Sequence, residues 1–204
     1  MYFIIKRILD IVISVLGMII LLPVFLFIFA AIKLDSKGPI LFKQMRIGIH
    51  KKSFIMLKFR TMSIDTPKNI PTHLLKEPDN HITKIGKILR KTSLDELPQI
   101  WNIFLGQMSI VGPRPALINQ HDLIGERDKN GANEIKPGLT GWAQINGRDK
   151  LNVKGKAELD GEYVRKMSIW FDIKCFFRTF VHVIREDGVL EGDTDDISSE
   201  NNFQ

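Results

Sequence analysis

Two carboxylates stand side by side in the stretch 90-RKTSLDELPQIWN-102, where Asp95 and Glu96 lie between two leucines. Arg90 precedes this pair, and Arg114 follows the next apolar stretch. These four side chains suit phosphoryl transfer, in which cations hold phosphates, one carboxylate attacks and another holds a divalent cation. The spacing alone does not show that they converge.

The same pair also has a purely structural interpretation. The segment 93–96 matches the capping box S-x-x-E, with Ser93 as the N-cap and Glu96 at position N3. The helix dipole would favour the carboxylate of Asp95 at the same end. From this fragment alone, we expect a helix start rather than a catalytic pair.

The segment that follows favours the catalytic interpretation. Gly112, Pro113 and Pro115 predict a rigid turn around Arg114, which suits bidentate phosphate recognition. The glycine-rich stretch 136–149 has backbone amides that can approach an anion or a ring. Within it, Trp142 either stacks on a base or is a half-buried aromatic residue.

Residues 35–66 are predicted to form short strands and turns, with KKSFIMLKFRTM as a strand or hairpin. Lys58 and Arg60 flank Phe59 and therefore point to the same side of that strand. They form either a solvated strand face or a phosphate-facing pair, and composition alone favours the first.

The N-terminal segment from Ile11 to Ile32 contains no charged residue. As a helix it would reach about 33 Å, enough to span the hydrocarbon of a bilayer. Pro23 favours a break near its middle. Basic residues on both sides place both ends in the cytoplasm; they are Lys6, Arg7, Lys33, Lys37, Lys43 and Arg46. These features slightly favour a re-entrant hairpin over a kinked span, with Asp10 sharing a helix face with Lys6 and Arg7 near the interface.

The remaining elements complete the predicted organisation. Residues 66–80 are a proline-rich loop, 82–91 a basic amphipathic helix, and 157–185 a helix with a helical continuation and a broad apolar stripe that suits core packing or a membrane interface. Three regions follow: a membrane segment 1–34, a cytoplasmic domain 35–185, and an acidic, disordered tail 186–204. The formal net charge of +6 predicts acidic partners. The single cysteine, Cys175, excludes an internal disulfide and is expected to be buried and inert.

Several ordered motifs resemble the bacterial sugar transferases, the small monotopic phosphoglycosyl transferases that begin capsule, O-antigen and glycoprotein glycan assembly. They are TSLDELPQIWNIFLGQMSIVGPRP, FKQMRIG, LKFRTM and KPGLTGWAQINGR. The resemblance covers roughly residues 4–185. No large N-terminal membrane domain precedes the motifs, so the chain resembles the minimal catalytic form.

This resemblance implies a reaction in which a sugar-1-phosphate moves from a UDP-sugar to a polyprenol phosphate, with undecaprenyl phosphate as the expected acceptor and UMP as the product. It implies Mg²⁺, held by Asp95 and Glu96, and a covalent phosphosugar intermediate on Asp95. Arg90 and Arg114 would bind phosphate, and Lys58 and Asp160 are further candidates for the active-site shell.

The resemblance also implies an α+β, mainly helical fold with a re-entrant membrane hairpin, a small β-hairpin and amphipathic interfacial helices. The enzyme would lie on the cytoplasmic face of the bacterial inner membrane, with lipids as partners and no nucleic acid. A homodimer is possible, and the sequence does not name the sugar. One departure is Leu22-Pro23, where family members often have Ser-Pro.

Two other function classes stay open at this point. A membrane-anchored basic adaptor would bind anionic lipid or nucleic acid without catalysis, and Asp95→Asn would then change no activity. A metal-dependent phosphatase or pyrophosphatase would act on the same lipids but would not need polyprenol phosphate for turnover.

Overall fold

The computed structural model describes residues 1–66, 81–147 and 150–185. Helices are α1 (Tyr2–Ile20), α2 (Leu22–Asp35), α3 (Lys84–Lys91), α4 (Gln99–Phe104), α5 (His121–Asp128), α6 (Trp142–Ile145), α7 (Val153–Lys166) and α8 (Ile169–Arg185). Strands are β1 (Leu41–Ile47), β2 (Ser53–Phe59), β3 (Ser109–Val111) and β4 (Gly138–Thr140). The predicted loop falls outside the described residues from 67 onward, and so does the predicted acidic tail.

The described part of the chain is mainly helical with little sheet, as the sequence predicts. Strands β1 and β2 form the predicted antiparallel hairpin, with Leu41 opposite Phe59 and Ile47 opposite Ser53. A second, parallel pair joins β3 to β4, with Val111 opposite Thr140. The sequence analysis missed this pair because three-residue strands are too short to show alternation.

The apolar N-terminal segment is broken, as predicted. Helix α1 ends before Leu21 and α2 begins at once, with Pro23 in its first turn, where a missing N–H costs nothing. The two helices bend by 61° at this point. Among the described residues no single helix meets the length and hydropathy of a membrane span, whereas α1 and α2 meet them together.

Helix α1 is attached to the rest of the protein by polar side chains. Lys6 Nζ lies 2.7 Å from Oδ2 of Asp172 on α8. Arg7 donates to the carbonyl oxygens of Ile103 and Phe104, at 2.7 and 2.8 Å, where α4 ends. Lys6 and Arg7 are therefore bound by partners within the protein, and the predicted position of Lys6, Arg7 and Asp10 near a membrane interface stays a prediction.

Asp10 makes the most deeply buried of these attachments. Its side chain is 3% exposed, and Oδ1 accepts hydrogen bonds from Ser109 Oγ at 3.1 Å and from the backbone N–H of Ile110 at 3.0 Å. Since β3 carries both donors, α1 directly supports the strand that leads into the turn around Arg114.

Helix α2 joins the domain through apolar packing. Ile28 and Ile32 are buried against Phe59 of β2 and Leu89 of α3. A larger cluster, formed by β3, α6, α7 and α8, contains Cys175, which is fully buried as predicted. The predicted helix with a helical continuation at 157–185 corresponds to α7 and α8, which are separated by Met167 and Ser168.

Candidate active site

The paired acids lie on a short 3₁₀ turn, Leu94–Glu96, and not at the start of an α-helix. Ser93 adopts a left-handed conformation with φ of 55° and makes no side-chain cap, and helix α4 begins only at Gln99. The predicted capping box is therefore wrong. The Glu96 carboxylate does not return to the backbone of Ser93 because two cations bind it.

Glu96 is held by Lys58 and Arg114. Its Oε1 accepts from Lys58 Nζ at 2.8 Å and from Arg114 Nη2 at 2.6 Å, and Oε2 lies 3.4 Å from Arg114 Nη1. The Glu96 side chain is 12% exposed. Burial acts to raise the pKa of Glu96, but the charges of Arg114 and Lys58 hold it well below its usual range. The ionised form of Glu96 is thus favoured, and its negative charge is offset by the two cations.

Asp95 lies beside this clamp in a different environment. Lys58 Nζ lies 3.8 Å from Oδ2 of Asp95, and no hydrogen bond from a described residue reaches that carboxylate. Burial raises the pKa of Asp95, and the neighbouring Glu96 adds to the rise, while Lys58, Arg90 and Arg114 oppose it. The pKa of Asp95 is therefore raised while that of the adjacent Glu96 is lowered. Such a difference is typical of carboxylates with separate roles.

Arg90 reaches the same site from α3. This helix starts at the N-cap Thr83, whose hydroxyl accepts from the Gly86 N–H, and it places Arg90 in its last turn. The charge of Arg90 acts on Asp95. Arg60, in contrast, turns away from Lys58 and donates to the carbonyls of Pro39 and Ser36 beyond α2. Of this predicted pair, only Lys58 belongs to the site.

The turn that carries Arg114 is fixed by two further arginines. Arg127 of α5 donates to the carbonyl of Arg114 at 3.0 Å, and Arg46 of β1 donates to that of Pro115 at 3.1 Å. Asp160 of α7 accepts from Arg127 Nη2 at 2.6 Å and from Nε at 2.8 Å. Asp160 thus binds Arg127, and Arg127 in turn binds the backbone of Arg114 at the site.

The sequence analysis gave Arg46 and Arg127 no role in this turn. Arg127 lies in a polar helix without a recognisable motif, so no local signal marks it. Arg46 lies in the motif FKQMRIG, which the sequence analysis used only as evidence of resemblance to the family. That motif gave no sign of the contact between Arg46 and the Pro115 carbonyl.

Glycines on the neighbouring strands let the backbone approach this turn closely. A Cβ at Gly138 would lie 2.1 Å from the Gly112 nitrogen, and one at Gly141 would lie 2.1 Å from the Gly112 oxygen. The amides of Gly112 and Gly138 bond to the carbonyls of Thr140 and Pro113. These glycines therefore pack backbone against backbone rather than presenting those two amides to an anion or a ring.

Of the two alternatives, the structure favours a packed aromatic residue at Trp142, which is more deeply buried than predicted. It is 9% exposed and donates its Nε1–H to Glu162 Oε2 at 2.9 Å. The cations of Lys174 and Arg178 lie 5.4 and 5.7 Å from the centre of its ring. The indole is thus engaged inside the protein and does not offer a free face to a base.

A divalent cation at this site would depend on the two acids and on its substrate. Among the described residues no group of three or more His, Cys, Asp or Glu side chains could hold a metal ion. Mg²⁺ often uses only one or two carboxylates together with substrate phosphates. Asp95, which accepts no hydrogen bond from described residues, and Oε2 of Glu96 fit that mode.

Comparisons with known proteins agree with this geometry. The bacterial sugar transferase family matches residues 1–186. An uncharacterized sugar transferase, EpsL, of Bacillus subtilis is 39% identical over 189 residues, covering 92% of this chain and 91% of the relative.

Two longer relatives carry substrate names. UDP-glucose:undecaprenyl-phosphate glucose-1-phosphate transferase of Escherichia coli K12 is 41% identical over 85% of this chain and 39% of its own. Undecaprenyl-phosphate galactose phosphotransferase of Salmonella typhimurium is 34% identical over 90% of this chain and 41% of its own. The chain thus spans about two fifths of their length. Since the family match covers nearly all the described residues, the chain belongs to the bacterial sugar transferase family.

Proposed function

We propose that the protein transfers a sugar-1-phosphate from a UDP-sugar to a polyprenol phosphate, with undecaprenyl phosphate as the acceptor, and releases UMP. The relatives that carry substrate names act on undecaprenyl phosphate. The observation that carries the proposal is the clamp of Lys58 and Arg114 on Glu96, directly beside the unclamped carboxylate of Asp95. This arrangement supplies positive charge for a diphosphate and leaves one acid available to attack it.

In the first step a carboxylate oxygen of Asp95 attacks the β-phosphorus of the donor. The bond from that phosphorus to the bridging oxygen breaks, and UMP leaves with the electron pair. A carboxylate and a diphosphate repel one another, so the cations of Lys58, Arg90 and Arg114 must offset that charge. The raised pKa of Asp95 makes its ionised form the more basic nucleophile.

In the second step a phosphate oxygen of the polyprenol acceptor attacks the same phosphorus. The bond to Asp95 breaks, and the carboxylate is regenerated while the lipid diphosphate sugar departs. Glu96 stays ionised throughout because its two cations hold it so. When bound by Asp95 and Glu96, Mg²⁺ would neutralise diphosphate charge during both steps.

We further propose that α1 and α2 form a re-entrant hairpin at the cytoplasmic face of the inner membrane. Both helices expose large apolar side chains; examples are Ile20 at 70%, Phe27 at 75% and Leu34 at 88%. Helix α8 adds an exposed apolar face; it consists of Trp170, Ile173, Phe177 and Val181. These surfaces suit insertion from one side, with α8 at the interface.

The reaction is tested by measuring UMP release from a panel of UDP-sugars in the presence of Mg²⁺ and undecaprenyl phosphate. Wild type and Asp95→Asn are compared under the same conditions. We expect wild type to turn over only with the acceptor lipid, and Asp95→Asn to release no UMP. Undiminished UMP release by Asp95→Asn would rule out the proposed mechanism. Steady UMP release without the lipid would favour a phosphatase.

The hairpin is tested with two single-cysteine variants, one with a cysteine added before Met1 and one with Lys37→Cys. Cys175 is fully buried and gives little background. In inverted membrane vesicles, an impermeant maleimide should label both positions. Labelling of only one of them would instead show a kinked span.

A further inference from the structure

Gln99 is the first residue of α4, and the Nε2–H group of its buried side chain donates no hydrogen bond to a described residue. The residue is 1% exposed, and its Nε2 has no hydrogen-bond partner among the described residues. Buried amide N–H groups are nearly always paired in native proteins, because an unpaired one has lost its bonds to water. An unused donor beside a candidate active site indicates an acceptor that turns toward it during the reaction.

Asn102, one turn further along α4, shows what a structural amide in this position does. It is also 1% exposed. Its Nδ2 donates to the Ile55 carbonyl and to Gln107 Oε1, both at 2.7 Å, and its Oδ1 accepts from the Leu57 N–H at 3.0 Å. Asn102 thus ties α4 to β2 with both ends of its amide. Gln99 makes no such tie through its Nε2.

The position of Gln99 points to its acceptor. It follows Asp95 by four residues and Glu96 by three, so all three lie within about one helical turn of one another. Leu97 and Pro98 between them have right-handed helical backbone angles, so the turn is continuous. The Glu96 carboxylate already accepts from Lys58 and Arg114, whereas Asp95 accepts no hydrogen bond from any described residue.

We propose that Gln99 is a positioning residue that donates an Nε2–H hydrogen bond to one carboxylate oxygen of Asp95 and so aims the other at the donor phosphorus. This inference rests on the proposed function, in which Asp95 is the nucleophile. After the attack, one Asp95 oxygen is bonded to phosphorus and the other is a carbonyl oxygen, which still accepts from Gln99. Displacement by the acceptor phosphate returns the carboxylate to the same bond, and Gln99 transfers no proton.

The test uses Gln99→Met, which keeps the length of the side chain and removes the donor. UMP formation is followed by rapid quench with Mg²⁺ and a UDP-sugar but without acceptor lipid. The burst amplitude counts competent enzyme, and the burst rate constant reports the attack by Asp95. We expect the amplitude to stay within about twofold and the rate constant to fall by about tenfold to a hundredfold. The half-saturating UDP-sugar concentration should not change, since Gln99 does not touch the donor.

Asn102→Leu is the matched control, because it removes an equally buried amide from the same helix. We expect a smaller amplitude, since fewer molecules fold, with an unchanged rate constant for those that do. If Gln99→Met shows that same pattern, or a wild-type rate constant, or a change only in half-saturating concentration, the inference is wrong. Should Gln99→Met fail to fold, Gln99→Asn keeps the amide but shortens its reach, and the same fall in rate constant is expected.

Wild type and Asp95→Asn in the same series separate the two proposals. A wild-type burst that is absent in Asp95→Asn upholds the nucleophile, and the Gln99 variants then decide the inference alone. A burst in Asp95→Asn would overturn the proposed function whatever the Gln99 variants do.

Discussion

Arg114 and Glu96 form a short charged contact at the site, with Arg114 Nη2 2.6 Å from Glu96 Oε1. The guanidinium is one-third exposed, whereas the carboxylate is nearly buried. We propose that Arg114 both fixes Glu96 and contacts the donor phosphate through the exposed third of its side chain. This double use distinguishes it from Lys58, which is 17% exposed and lies between the two acids.

Replacing Arg114 with lysine tests that double use. A lysine restores one positive charge but cannot present the planar fork that binds a carboxylate and a phosphate together. We expect kcat of UMP release to fall by about a hundredfold, comparable to the loss of one charge-stabilising donor. Arg165→Lys, on an exposed position of α7, is the matched control and should keep wild-type kcat. Equal kcat values for the two variants would show that Arg114 acts only as a charge.

Asp95→Asn should stabilise the protein while abolishing its activity. Burial raises the folded-state pKa of Asp95 above its unfolded value of about 4, so its favourable contribution is complete below that pH and is lost as pH rises through the folded value. At pH 7.5 the buried, ionised carboxylate of Asp95 destabilises the wild-type fold, whereas the neutral amide of the Asp95→Asn variant does not. We expect a melting temperature a few degrees higher for the variant at pH 7.5 in EDTA, and a difference that vanishes below about pH 4. A lower melting temperature at pH 7.5 would contradict this assignment.

The buried pair of Arg127 and Asp160 should show non-additive effects. Their side chains are 7% and 2% exposed. Removing one partner leaves the other charge buried, which costs about 3 to 5 kcal/mol. We expect Asp160→Leu alone to be strongly destabilised in denaturant unfolding, and the double variant Arg127→Met, Asp160→Leu to recover most of that loss.

The same double variant should stay poorly active, because the contact from Arg127 to the Arg114 carbonyl is absent. Recovered stability together with low kcat would support a positioning role for Arg127. Full recovery of both would show that the pair serves stability alone.

Replacing Gly138 or Gly125 with alanine should have opposite effects. A Cβ at Gly138 would meet the Gly112 nitrogen at 2.1 Å, whereas one at Gly125 on α5 would meet nothing within 4 Å. We expect Gly138→Ala to displace the Arg114 turn and abolish UMP release. Gly125→Ala should keep activity and gain up to about 1 kcal/mol from helix propensity. An active Gly138→Ala variant would show that the turn tolerates the shift.

The elements with strong local patterns were predictable from the sequence. The apolar run, the break near Pro23, the β-hairpin and the basic helix that carries Arg90 all depend on periodicity or on proline. Residue types suggested Asp95, Glu96 and Arg114 as one set, motif resemblance added Lys58, and the structure brings these side chains together.

The failures share one physical cause, because long-range partners override local preferences. Ser93 and Glu96 match a cap locally, but Lys58 and Arg114 bind the Glu96 carboxylate more strongly than a backbone N–H would. The hydrogen bonds of Asp10 were likewise not predicted, because Ser109 and Ile110, which donate them, lie 99 and 100 residues away. Such contacts leave no trace in the spacing of neighbouring residues.

The most direct test of the proposed mechanism is the mass of the peptide that contains Asp95. The enzyme is incubated with Mg²⁺ and the UDP-sugar selected by the panel, without acceptor lipid, then quenched in acid and digested. We predict that this peptide gains the mass of one sugar phosphate, that UMP appears in an amount equal to the enzyme, and that undecaprenyl phosphate removes the added mass. Continuous UMP release with no added mass, or an added mass on a different peptide, would contradict Asp95 as the nucleophile.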